Sequence, residues 1–144
     1  MNLRQAFLQH VAQTSDAPLA IEASHASGIY IHTTAGKKLI DLISGIAVSS
    51  LGHSHPKIVA AVKAQVEKYM HLMVYGEYIE QPQVKLAEKL CSVLPEHLNS
   101  IYFTNSGTEA TEGALKLAKR FTGRSELVYF QHSYHGSTSG ALSV

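Results

Sequence analysis

The amino-acid sequence predicts an α/β fold, and three observations carry that expectation. The last third runs strand, tight turn, helix, strand, which is the order of a βαβ unit in a parallel sheet. Two earlier segments have the apolar spacing of amphipathic helices, each opened by a proline, Pro56 and Pro82. Two β-rich runs flank Gly36 and predict a hairpin.

The elements follow in order. Residues 3–12 place Leu3, Phe7, Leu8 and Val11 on one helical face, and Thr14-Ser15-Asp16-Ala17-Pro18 breaks that helix. The hairpin arms are Gly28-Ile29-Tyr30-Ile31-His32 and Leu39-Ile40-Asp41-Leu42-Ile43. Residues 44–55 are small and irregular. Pro56 then sits where a helix needs no N–H donor, ahead of a stripe of Ile58, Val59, Val62, Val66 and Met70. A loop through Tyr75, Gly76 and Glu77 leads to a second helix, with Val84, Ala87, Leu90 and Leu94 as its stripe and Pro95 beyond its end. Residues 101–104 are a short apolar strand and 105–108 a tight turn. Residues 109–122 form a helix with Ala110, Ala114, Leu117, Ala118 and Phe121 inward and Gly123 as its stop. Residues 127–130 are a second strand and 131–138 a polar loop.

Composition narrows the functional classes. The 144 residues are 45% hydrophobic and 16% charged, with a formal net charge of +1. No basic block points to nucleic acid or an anionic membrane surface. No run approaches the roughly 18 apolar residues of a membrane span, and the first residues lack a signal-peptide apolar region. The single cysteine, Cys91, fits a reducing compartment and lies on the apolar side of the second helix as a buried thiol. A cytoplasmic protein is expected. The sequence stops at Gly140-Ala141-Leu142-Ser143-Val144 as a new element begins, so the chain is expected to be truncated.

Three segments carry candidate chemistry. Asn105-Ser106-Gly107-Thr108 joins a strand to a helix, where unpaired N–H groups and the helix dipole favour an anion. Ser106 with Glu109 equally fits a capping box, and one hydroxyl can serve both roles. Ser133-Tyr134-His135-Gly136-Ser137-Thr138 follows the next strand, and ligands of open α/β sheets sit beyond the carboxyl ends of strands. Tyr134 or His135 can lie against an aromatic ring, although a plain surface loop fits the pattern as well. Gly52-His53-Ser54-His55-Pro56 is an i, i+2 histidine pair without a carboxylate or thiol beside it, so helix entry is expected there and no metal. There is no Gly-x-Gly-x-x-Gly, Walker loop or Gly-x-Ser-x-Gly elbow.

Together these segments resemble the class III pyridoxal-phosphate-dependent aminotransferases, the group that includes acetylornithine and ornithine aminotransferases. Residues 41–48 with 51–56 are similar to the family's N-terminal signature. Phe103 to Ala110, with Ala114-Leu115-Lys116-Leu117-Ala118 and Thr122-Gly123-Arg124, resembles its phosphate turn and helix. Tyr134-His135-Gly136, with Thr138 and Gly140, resembles its cofactor-stacking loop. The resemblance runs from about Ala17 onward.

It implies fold type I. Residues 1–55 would contribute to the small domain, and residues 56–144 would begin the large cofactor-binding α/β domain. Gly107 and Thr108 would hold the phosphate of pyridoxal 5'-phosphate through backbone N–H groups, with Ser106 shaping the turn. Tyr134 would stack on the ring and His135 would support that loop. Ser44 to Ser50, including Ile46 and Val48, would line the substrate entrance. Ile46 stands where ornithine-specific members carry a tyrosine, which disfavours ornithine. Tyr75 and Tyr78 are further candidates for the pocket. The partners implied are an amino donor, a 2-oxo acid and a second copy of the full-length chain. The family's Schiff-base lysine and its pyridine-pairing aspartate would lie downstream, with Lys116 and Lys119 solvated on the phosphate-site helix. The strands at 101–104 and 127–130 would not be direct neighbours, and the chain alone is expected to expose apolar surface and to be inactive. Other fold type I chemistries (decarboxylase, epimerase, aminomutase) and a non-catalytic remnant acting through the dimer surface share the same segments.

Overall fold

The computed structural model describes residues 2–73 and 76–144, and the chain divides into two units, Met1–Val74 and Tyr75–Val144. Tyr75, a candidate pocket residue, lies outside the described residues.

The first unit opens with α1 (Leu3–His10). Asn2 and Gln5 cap it reciprocally: the Asn2 side chain accepts from the Gln5 N–H at 2.9 Å, and the Gln5 side chain accepts from the Asn2 N–H at 3.0 Å. Strands β1 (Ala23–Ser27), β2 (Tyr30–Thr33) and β3 (Lys38–Ile40) form an antiparallel meander in the order β1-β2-β3. The predicted hairpin is β2 with β3, in the register Tyr30↔Ile40, Ile31↔Leu39, His32↔Lys38. Strand β1 was not expected. Its sequence, Ala-Ser-His-Ala-Ser, lacks branched and aromatic residues, and its place comes from pairing with β2. His25 and His32 face each other across that pair with rings stacked 4.2 Å apart.

Beyond β3 the chain makes one helical turn, α2 (Ser44–Ala47), and the turn is left-handed. Ser44, Gly45, Ile46 and Ala47 have φ of 53, 60, 60 and 62°. Left-handed backbone costs roughly 1–2 kcal/mol for each non-glycine residue. The segment is therefore held by its surroundings rather than chosen by its own propensity. Helix α3 (Pro56–Val66) begins at Pro56 as expected. Its stripe finds no cover: Ile58, Val59, Val62 and Val66 are all exposed.

In the second unit, α4 (Gln81–Cys91) has Pro82 in its first turn. Cys91 is only half-buried, because no described element covers that face. Helix α5 (Gly107–Thr122) starts two residues earlier than expected and ends at Gly123, in the left-handed conformation at φ 70°. A four-residue helix, α6 (Ser139–Leu142), closes the described chain. Residues 101–104 and 127–130 lie outside any strand, contrary to expectation. A strand is defined by its ladder, and no partner strand for either occurs among the described residues.

The inward face predicted for α5 also needs correcting. Leu117 and Phe121 are 68% and 88% exposed. The face that packs carries Thr108 and Glu112, and it meets residues 136–141. Only two described residues are buried, Gly136 and Ala141, and both belong to that contact.

Candidate functional site

The predicted anion turn is built as a helix entry. Ser106 is the N-cap of α5, and its Oγ accepts from the Glu109 N–H at 3.2 Å. The expected capping box is displaced by one residue, since the Glu109 carboxylate accepts from the Asn105 N–H at 2.7 Å. Thr104 Oγ1 donates to the Ser106 carbonyl at 3.1 Å and tightens the turn from the other side. These bonds satisfy the N–H groups of Asn105 and Glu109. Among the described residues nothing accepts from the N–H of Gly107 or Thr108. A Cβ placed on Gly107 would meet nothing within 4 Å, so the approach to those donors is open. The helix dipole adds about half a positive charge at this end.

The second predicted segment lies against the first. A Cβ on Gly136 (φ 129°) would overlap the Thr108 side chain, so only glycine permits the approach. Thr108 Oγ1 and Thr138 Oγ1 are 2.8 Å apart, and the Thr138 N–H donates to Thr108 Oγ1 at 3.5 Å. Tyr134, two residues before Gly136, is 78% exposed, with its hydroxyl 3.0 Å from Ser137 Oγ. His135 is exposed. Ser106, Gly107, Thr108 and the loop of Tyr134 and His135 thus belong to one local assembly within the second unit.

Glu112 completes it, and sequence reasoning overlooked this residue. Its Oε1 accepts from Thr138 Oγ1 at 2.6 Å, from the Gly140 N–H at 2.8 Å and from the Ala141 N–H at 3.1 Å. The Thr138 hydroxyl, then the Ala141 and Gly140 N–H groups and the Lys116 charge, hold its carboxyl below the usual carboxylate range against a partial desolvation. An ionised carboxylate only accepts, so Thr138 gives its single proton to Glu112. The Thr138 oxygen is then left to accept, and Thr108 donates to it. The proton order runs Thr108 to Thr138 to Glu112. The signal available in the sequence was the i, i+4 spacing of Thr108 and Glu112, which puts both on one face of α5.

The first unit holds the remaining predicted residues. Ile46 and Val48 are 86% and 77% exposed at the left-handed turn and just after it. Asp41 anchors that turn: its Oδ1 accepts from the Ile43 N–H at 3.0 Å and from the Ser44 N–H at 2.9 Å. His53 Nε2 lies 2.7 Å from Asp41 Oδ2. The Ser44 N–H, then the His53 side chain, hold the Asp41 carboxyl below its ordinary value. The histidine pair of residues 53 and 55 is thus split, His53 facing a carboxylate and His55 standing at the N-cap position of α3 without a side-chain capping bond. No group of three metal-ligating side chains occurs among the described residues, and no described helix is long and apolar enough to cross a membrane. Tyr78 is exposed.

Comparison with known proteins gives the family and the fold. Residues 11–144 match the family model for class III aminotransferases. An acetylornithine aminotransferase from Methanopyrus kandleri is 45% identical over 81% of this chain and 30% of its own length. An adenosylmethionine-8-amino-7-oxononanoate aminotransferase structure from Methanocaldococcus jannaschii superposes with a TM-score of 0.92 at 28% identity, covering 99% of this chain and 35% of that one. A taurine:2-oxoglutarate aminotransferase from Bifidobacterium kashiwanohense, solved with PLP and glutamate, superposes with a TM-score of 0.81 at 34% identity, covering 94% and 31%. The chain belongs to the class III aminotransferase family and has the fold of the corresponding part of fold type I transaminases. It spans about a third of the length of the curated relatives it matches.

Proposed function

We propose that this chain is the cofactor-phosphate-binding part of an enzyme that moves an amino group from a donor to a 2-oxo acid with pyridoxal phosphate. One observation carries the proposal. The two open N–H groups at the start of α5 lie beside a loop that bears an exposed tyrosine, and hydrogen bonds between Thr108, Thr138 and Glu112 join the two. The residues present fit a phosphorylated aromatic ligand. Gly107 and Thr108 would hold the phosphate by backbone N–H, since the Thr108 hydroxyl proton is committed to Thr138. Ser106 would keep the turn open by capping α5. Tyr134 would cover one face of the ring, with His135 supporting its loop. Ile46 and Val48 would border the substrate entrance. When bound, pyridoxal phosphate supplies an electron sink and carries the amino group between substrates.

The covalent partner of the cofactor is a lysine, and we assign it to sequence beyond these residues. Lys116 and Lys119 sit more than two turns along α5 from Gly107, about 13 Å or more by helix rise. The exposed apolar residues favour the same view. Leu117 and Phe121 on α5, and Val128 and Phe130 at 99% and 88% exposure, await a sheet layer and a partner. We therefore place residues 1–55 with a small domain and residues 56–144 at the start of a large one, in a cytoplasmic homodimer that binds neither nucleic acid nor membrane. The relatives act on different amino donors, so the donor is stated only as an amine or amino acid.

The test is an absorbance spectrum of the purified chain with pyridoxal phosphate, before and after borohydride, beside the same experiment on the full-length protein. The chain alone should bind weakly and reversibly, and borohydride should fix nothing to its lysines. The full-length protein should hold the cofactor and convert a 2-oxo acid to an amino acid. A cofactor fixed covalently to Lys116 or any other lysine of this chain would overturn the assignment of the lysine.

A further inference from the structure

We infer that Glu112 is a positioning residue, which fastens the loop carrying Tyr134 to the first turn of α5 so that the aromatic face and the phosphate-binding N–H groups are held as one body. The inference rests on the function proposed above and goes one step further, to a residue outside the motif that binds.

The geometry supports it in three independent ways. One carboxylate oxygen of Glu112 accepts three hydrogen bonds, all from residues 26 to 29 positions downstream. Two of those donors, the Gly140 and Ala141 N–H groups, lie in the first turn of α6, and the third is the Thr138 hydroxyl just before it. Steric fit demands the same closeness. A Cβ on Gly136 would overlap Thr108, and a Cβ on Gly140 would overlap the Glu112 carboxylate. The only buried residues among those described are Gly136, two residues before the first bonded donor, and Ala141, itself one of the donors.

The chemistry favours a carboxylate over its neutral relatives. A negative charge one helical turn below an anion site works against phosphate binding by simple repulsion. Here the charge is spent on three donors, with Lys116 on the next turn of the same face. A glutamine would present one uncharged oxygen to the same three donors and bind each more weakly. An alanine would release the loop. The Thr108 hydroxyl, no longer ordered by Thr138 and Glu112, would turn freely beside the phosphate.

The test uses the full-length apo-enzyme and the variants Glu112→Gln, Glu112→Ala and Thr138→Val. Hydrogen exchange is read at the Gly140 and Ala141 amides, and cofactor affinity by titration with pyridoxal phosphate. In Glu112→Ala the two amides should exchange about tenfold faster or more, and the dissociation constant for the cofactor should rise by about tenfold. Glu112→Gln should fall between wild type and alanine. Thr138→Val, which keeps the side-chain shape and removes one donor, should raise the dissociation constant by a smaller factor. A merely structural Glu112 would lower the melting temperature and leave the affinity of the folded protein unchanged. If wild type binds no pyridoxal phosphate, the proposed function fails, and this inference with it. If wild type binds and Glu112→Ala binds equally well, the inference alone fails.

Discussion

Asp41 and His53 meet at 2.7 Å, and the same carboxylate holds the backbone that enters the left-handed turn. One acid thus satisfies two N–H groups that a left-handed entry leaves without helical partners. Replacing Asp41 by alanine should lower the urea midpoint and speed hydrogen exchange at the Ser44 amide. Replacing His53 by alanine should do so less, because the two backbone donors keep their acceptor. Equal exchange at Ser44 in wild type and Asp41→Ala would remove Asp41 from this role.

Ala47 offers the converse test. It is exposed, so its side chain contributes little packing, yet it sits at φ 62°. Glycine there avoids roughly 1–2 kcal/mol of left-handed strain and loses roughly 0.5–1 kcal/mol to chain entropy. Ala47→Gly should therefore stabilise the protein by about 0.5–1 kcal/mol in chemical denaturation, a gain of the kind seen when glycine matches its site.

Ser106 separates capping from ligand binding. Ser106→Ala removes the acceptor for the Glu109 N–H and should cost about 1 kcal/mol of stability. Ser106→Asp keeps an acceptor and should restore most of that stability, while its charge at the anion turn weakens phosphate binding. A stability scan and a titration with inorganic phosphate would read the two effects apart.

Gly136 and Gly140 cannot carry a side chain as the loop now lies. Gly136→Ala drives a methyl into Thr108, and Gly140→Ala drives one into the Glu112 carboxylate. Gly136→Ala, which meets the Thr108 Cβ and backbone, should destabilise by about 1–3 kcal/mol, the usual cost of overpacking, and Gly140→Ala by less, because the Glu112 carboxylate can swing aside at the cost of its hydrogen bonds. Gly107→Ala meets nothing in its neighbourhood and should fold normally. Its reduced affinity for a phosphate would be a local effect of the methyl beside the open N–H groups.

Acid should loosen both carboxylate anchors. The Asp41 and Glu112 carboxyls are held below their ordinary values of 3.8 and 4.5. A depressed carboxyl stabilises the fold fully above its ordinary value, and the contribution is lost as pH falls through the lowered one. Exchange protection at Ser44, Gly140 and Ala141 should therefore be flat down to about pH 5 and fall below about pH 4. Glu112→Gln should abolish the pH dependence at Gly140 and leave it intact at Ser44.

Much of the local structure was legible in the sequence, because its signals are local. Pro56 and Pro82 mark helix starts, Gly123 marks a helix end, and Gly36 marks the turn between two alternating runs. The strands expected at 101–104 and 127–130 were not borne out as strands, since a strand needs a partner that its own residues cannot specify. The left-handed turn was illegible for another reason: isoleucine and alanine have no preference for that conformation, and the bonds from the Ile43 and Ser44 N–H groups to Asp41 at its entry show only in the folded chain. Glu112 was hidden because a glutamate within a helix normally faces water. Its partners lie in Thr138, Gly140 and Ala141, and only folding shows that the spacing between them closes.

The bond from Gly140 to Glu112 joins residues 28 positions apart. Closing a loop of that size costs little more than closing one half as long, and every residue the contact needs lies between Thr108 and Ala141. During synthesis the turn at Gly107 and the loop of Tyr134 can therefore find each other soon after Ala141 leaves the ribosome. The hydrogen bonds joining Thr108, Thr138 and Glu112 would then form without help from any other part of the fold.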